Sequence, residues 1–212
     1  MDVLEHSYLM YLESYGIKTI AIPNIFSQAG YYFDQFPIEG IILTGGEDVD
    51  PKLYGENIEW MDISPRRDQT EQKLLEIAME RKLPVFGICR GMQFINVFFG
   101  GKLVKNIKEE ITLDHVPGKD HITRIINEKI ISDLGKKEIA VNSYHNQAVT
   151  TSNLSPYLNA FAVAEHGIVE GLYHPSLPIM GIQWHPERKS PDDKINRILM
   201  EALVKKEFFW KK

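Results

Sequence analysis

Cysteine is nearly absent: one residue, Cys89, stands in 212. That excludes an intramolecular disulfide and any metal centre built from several thiolates, and it suits a reducing compartment. If a thiol does chemistry in this chain, the sulfur is that of Cys89. Long hydrophobic runs are missing too. No stretch of about eighteen apolar residues occurs, and the opening Met1-Asp2-Val3-Leu4-Glu5 sets no basic segment ahead of an apolar one. The expectation is a cytoplasmic protein with no membrane partner. Excess positive charge is also lacking, with 24 Lys and Arg against 29 Asp and Glu and a formal net charge of −5. Such a surface argues against a nucleic-acid partner. No internal repeat and no low-complexity tract breaks the chain.

What remains is an ordinary globular composition, 43% hydrophobic, long enough for one well-buried domain over residues 1–212 and short for two. Residues 3–15 carry apolar side chains at a helical period (Leu4, Tyr8, Leu9, Tyr11, Leu12), with Gly16 at the capping position. Residues 17–22 read as a strand stopped by Pro23, and residues 38–43 as another, broken by Thr44-Gly45-Gly46. Asp68 with Glu71 three positions on reads as the capping box of a helix that runs to about Lys82. Helices alternating with short apolar strands imply an α/β fold: a mainly parallel central sheet with helices on both faces. After Gly101 short strand-like runs follow at 121–126, 139–141, 158–164, 168–173 and 179–184 with little helix between them, which predicts a small antiparallel extension. A helix over 192–206 closes the chain. The aromatic trio Phe208-Phe209-Trp210 reads as packing on the domain or, alternatively, as an oligomer contact; the lysines around it read as a solvated tail.

Residues 84–101 organise the rest. Val85-Phe86 lead through Gly87-Ile88-Cys89-Arg90-Gly91 into an apolar helical segment that ends at Gly100-Gly101. Glycines on both flanks relieve the crowding of a sharp strand-to-helix turn. At the apex a cysteine is lifted clear of the sheet to the positive end of a helix, where a thiolate is favoured, and backbone N–H groups, Arg90's among them, point at whatever the sulfur attacks. A lone cysteine is more often buried core; the Gly-x-Cys-x-Gly frame argues for a nucleophile.

Gly-Ile-Cys-Arg-Gly-Met-Gln resembles the nucleophile elbow of the class I glutamine amidotransferase-like superfamily. The Arg after the Cys is most like its γ-glutamyl hydrolase branch (peptidase C26), which includes γ-glutamyl-γ-aminobutyrate hydrolases. The resemblance implies a flavodoxin-like class I amidotransferase fold, no cofactor, no metal, and a His with a carboxylate far downstream; the strand that relatives usually carry ahead of the first helix is missing here, where that helix begins almost at Met1. Gly181-Ile182-Gln183-Trp184-His185-Pro186-Glu187 supplies both. Pro186 keeps His185 extended, and in extended chain residues i and i+2 share a face, which pairs His185 with Glu187. By analogy with the family, Cys89, His185 and Glu187 form the triad.

The resemblance also implies an oxyanion N–H from the Thr44-Gly45-Gly46-Glu47 loop at Gly46, beside that of Arg90. A phosphate loop is the rival reading, but Glu47, Asp48 and Asp50 would repel phosphate and no Lys-Ser or Lys-Thr follows. Gly45, Gln93, Ser143, Tyr144 and His145 are implied as substrate-binding residues, with a structural His145 equally open. Arg66-Arg67-Asp68 either holds the Gly45-Gly46 loop or meets the substrate. A metal cluster of Asp114, His115, Asp120 and His121 is disfavoured by the Pro117-Gly118 loop that carries it. The implied substrate is a small γ-glutamyl amide, either a γ-glutamyl amine or a γ-glutamyl nucleotide amidate of surface-polysaccharide pathways, cleaved through a γ-glutamyl thioester. The alternatives are the glutaminase subunit of an amidotransferase with a synthetase partner, and a silent superfamily member. A homodimer is also open.

Overall fold

The computed structural model describes residues 3–111 and 118–211. The chain folds around one seven-stranded sheet of order β1-β2-β7-β6-β5-β3-β4. Strands β1 (Ile41–Leu43), β2 (Val85–Ile88) and β7 (Ile179–Ile182) run parallel side by side. The antiparallel strands are β6 (Val169–Tyr173), β5 (Asn159–Ala164), β3 (His121–Ile125) and β4 (Glu138–Val141). The expected antiparallel extension is therefore continuous with the parallel strands through the β6–β7 ladder, which makes one mixed sheet.

The parallel strands are covered on both faces, so β2 and β7 are buried at every position, as continuous apolar runs require. Helix α3 (Pro65–Arg81) and helix α2 (Ala29–Gln35) pack on one side. On the other side, α1 (His6–Glu13) and α7 (Asp193–Lys205) share a second apolar cluster with β2 and β7. Helix α4 (Arg90–Phe98) leaves β2 at the elbow and is buried from Arg90 through Val97. Phe208, Phe209 and Trp210 stack on one another, and Phe209 and Trp210 stack on Tyr173. The tail therefore packs on its own chain. No helix among the described residues is long and apolar enough to cross a membrane.

Two expectations are corrected. Residues 17–22 form no strand; Ile17 and Ile22 pack on the core at either end, but Lys18, Thr19, Ile20 and Ala21 between them are exposed, and β1 is the edge strand on its side of the described sheet. No strand precedes α1 among the described residues. Helix α3 begins at Pro65 with Ser64 as its flanking residue, because proline's fixed φ suits a first helical position. Asp68 and Glu71 thus lie inside the helix, where burial gives them a different task. The short helices α5 (Ile107–Glu110) and α6 (Glu128–Leu134), the latter capped by Asn127 through the N–H groups of Lys129 and Ile130, were also unforeseen.

Candidate active site

Cys89 sits at the carboxyl end of β2 with φ 53° and ψ −108°, a left-handed backbone that non-glycine residues rarely hold and that stores strain at a fixed point. The flanking glycines are dictated by contact. A Cβ on Gly87 would lie 2.6 Å from the Gly91 carbonyl carbon, and one on Gly91 would lie 2.2 Å from the Leu43 oxygen. The Cys89 N–H donates to the Ile182 carbonyl at 2.8 Å, which ties the elbow to β7. As the first helical residue, Arg90 has an N–H with no intrahelical acceptor.

Just beyond β7, His185 Nδ1 lies 2.6 Å from Glu187 Oε1. The shared face predicted for these two residues is the one found. Asn142, at the end of β4, brackets the backbone here: its Oδ1 accepts the His185 N–H at 2.9 Å, and its Nδ2 donates to the carbonyls of His185 and Lys189. Burial alone would lower the His185 pKa, but hydrogen bonds to Cys89 and to Glu187 outweigh it and raise the value to about 9. The imidazolium is thus the resting form at neutral pH, with a sulfur and a carboxylate as its partners.

The loop after β1 closes the site. A Cβ on Gly45 would meet His185 Cε1 at 2.9 Å, so only glycine lets this backbone lie against the imidazole. Gly46 has φ 156° and lies against Arg67, whose Nη2 donates to the Thr44 carbonyl at 2.7 Å and whose Nη1 donates to Glu47 at 3.1 Å. Of the two tasks open to the Arg66-Arg67-Asp68 segment, Arg67 performs the loop-holding one. Its Nε also binds Glu71 at 2.8 Å. Glu71 and Asp68 in turn grip the fully buried guanidinium of Arg90, which packs over the Phe94 ring.

The residues expected at the substrate divide. Tyr144 is 41% exposed and stands edge-on to His185 at 5.6 Å, with the Arg188 guanidinium over its ring at 4.4 Å. Ser143 and His145 are buried. His145 Nδ1 lies 2.9 Å from the Gln147 carbonyl, and Nε2 lies 3.9 Å from Glu170. Gly45 donates its N–H to the Tyr8 hydroxyl at 2.9 Å. Gln93 is buried and donates to the Gln147 carbonyl at 2.8 Å and to Gln183 Oε1 at 3.1 Å. His121 pairs with Glu170 at 3.3 Å; Asp114 and His115 lie outside the described residues.

Sequence reasoning missed Tyr8 and gave Gln183 no part. The Tyr8 hydroxyl accepts from Gly45 and sits 3.5 Å from His185 Nδ1. Burial, with the Glu187 charge second, pushes its pKa well above the usual phenol range. Its apolar helical spacing looks like plain core. Gln183, a polar residue within an apolar run, was the more legible signal.

Comparison with known proteins identifies the family of this chain. The Peptidase C26 family matches residues 1–187, and the chain belongs to that family. A γ-glutamyl-γ-aminobutyrate hydrolase of Escherichia coli O157:H7 is 31% identical over 96% of the chain and 85% of its own length. A candidate glutamine amidotransferase of Schizosaccharomyces pombe is 37% identical over 71% of the chain, a match that spans 62% of the yeast protein. Among solved structures, the glutaminase domain of Trypanosoma brucei CTPS with bound acivicin superposes with TM-score 0.67 at 15% identity, covering 97% of this chain and 90% of that one. At that identity the likeness carries the fold, that of the class I glutamine amidotransferases.

Proposed function

We propose that the chain works as one class I glutamine amidotransferase-like domain that hydrolyses a γ-glutamyl amide, a γ-glutamyl amine or γ-glutamyl nucleotide amidate, through a thioester on Cys89. The observation that carries this reading is the Cys89–His185–Glu187 arrangement, a sulfur on a strained elbow near an imidazole whose Nδ1 lies 2.6 Å from a carboxylate oxygen. The Cys89 thiolate attacks the γ-carbonyl carbon. The oxygen takes the negative charge and is met by the N–H groups of Gly46 and Arg90. His185 gives its proton to the leaving nitrogen as the C–N bond breaks, then accepts one from water as hydroxide attacks the thioester and frees glutamate. Glu187 orients the imidazole and stabilises its charged form. Losing one oxyanion donor in such a site costs on the order of a hundredfold in rate. The 31% identity with a γ-glutamyl-γ-aminobutyrate hydrolase over nearly the whole chain supports the substrate class. A single free thiol suits a reducing cytoplasm.

The test is glutamate release from L-glutamine and from a panel of γ-glutamyl amides, with Cys89→Ala alongside. Release from a γ-glutamyl amide and none from Cys89→Ala is the expected result. Undiminished turnover by Cys89→Ala would sink the thiol mechanism; release only after a synthetase is added would make the chain an amidotransferase subunit.

A further inference from the structure

We propose that Gln183 is a second hydrogen-bond donor to the Cys89 sulfur, and that Gln93 fixes the orientation of its amide. Gln147 O can only accept, so the Gln93 atom lying 2.8 Å from it is Nε2, a donor. The same nitrogen lies 3.1 Å from the Gln183 side chain, which must therefore present its oxygen there. The Gln183 amide then has one orientation, with its NH2 group toward Cys89 Sγ, 3.5 Å away. Both glutamines are at most 3% exposed, so water offers neither of them a competing partner. The Gln183 backbone is held as well, its N–H donating to the Glu170 carbonyl at 2.9 Å.

The sulfur thus meets an N–H of Gln183 at 3.5 Å. A donor aimed at sulfur stabilises the thiolate more than the thiol, because bonds to a charged acceptor are the stronger ones. Gln183 touches a reacting atom, and Gln93 acts through it as a positioning residue. The inference rests on Cys89 being the attacking group, and its test reads ionisation rather than turnover, so the two can fail separately.

Cys89 is the only cysteine in the chain, so its alkylation by iodoacetamide can be followed without interference. The rate is measured against pH for the full chain, for Gln183→Leu, Gln183→Met, Gln93→Leu and for the Gln183→Leu/Gln93→Leu pair, each first checked for a cooperative thermal transition. In Gln183→Leu the half-maximal pH should move up by about one unit, a roughly tenfold slower reaction on the acid limb. Gln93→Leu should move it the same way by less, and the pair no further than Gln183→Leu alone. Gln183→Met, of similar length and unable to donate, serves the same purpose if the leucine variant does not fold. A purely structural amide would change melting and leave the profile in place. An unmoved profile in a folded Gln183 variant would overturn the proposal, as would a Gln93 effect that adds fully to that of Gln183.

Discussion

Two walls hold the candidate site, and they are built from opposite chemistry. Toward β7 and β4 the partners are neutral amides: Gln183, Gln93 and Gln147 behind the sulfur, and Asn142 around the His185 backbone. Toward α3 they are charges, with Glu47, Asp68 and Glu71 facing Arg67 and Arg90. Amides fix orientation, since each has one donor end and one acceptor end, and their hold does not change with pH. Charges fix distance strongly, but each buried carboxylate must be matched, and three acids against two guanidiniums leave one unmatched. The wall touching the sulfur and the imidazole is the neutral one, so the reacting groups feel few fixed charges besides Glu187. The wall holding the oxyanion loop tolerates charge because it lies behind the backbone that does the work.

Arg90→Met should break the charged wall with the largest effect on stability. It strands Asp68 in a buried position with its counter-ion gone and leaves Glu71 with Arg67 alone, a change worth about 3–5 kcal/mol and on the order of 10 °C in melting temperature. A melting curve within a degree or two of the parent's would show that the Arg90 cluster is neutral in its net contribution. On the other wall, Asn142→Ala removes three hydrogen bonds but leaves no charge unpaired, so about 2 kcal/mol is expected. Its effect on turnover should fall mainly on kcat, because His185 loses its backbone clamp; a change confined to KM would place Asn142 at the substrate instead. Glu187→Gln should lower the His185 pKa from about 9 toward the ordinary imidazole value, since it removes the carboxylate charge that favours the cation. In a pH–rate profile the alkaline limb of kcat should move down accordingly.

The neutral wall was half legible in the sequence; of the charged wall, only the hold of Arg67 on the Gly45-Gly46 loop was. The elbow at 84–101 and the His185-Pro186-Glu187 turn announce themselves, because glycine, proline and alternation act within a few residues. Strand positions such as 121–126 and 168–173 came within a residue or two of those found. Asp68 and Glu71 misled, since Asp-x-x-Glu before an apolar run is also the signature of a helix start, and only tertiary contact with Arg90, nineteen or more residues on, reveals their task. Residues 17–22 misled for the same reason, because β-branched residues favour a strand only where a neighbouring backbone exists to pair with. Tyr8 and Gln93 have periodicities that place them correctly on a helix, but spacing does not say which atom each will meet across the fold.

The smallest expected effect sharpens the comparison most. Burial raises the Asp68 pKa to about 6 from 3.8, with Arg90 opposing the rise and Glu71 adding to it. The folded chain therefore binds a proton that the unfolded chain has released between those two values, and stability falls as pH rises through that window. Above it the full penalty of the extra buried charge is present. Asp68→Asn carries no charge in either state, so urea unfolding should find the variant more stable than the parent above about pH 6, with the gain shrinking as the pH falls toward 4. Asn142→Ala, from the neutral wall, should show the same loss at both ends of the range. An Asp68→Asn chain weaker than its parent at every pH would mean that the attraction of Arg90 outweighs the burial of the third carboxylate.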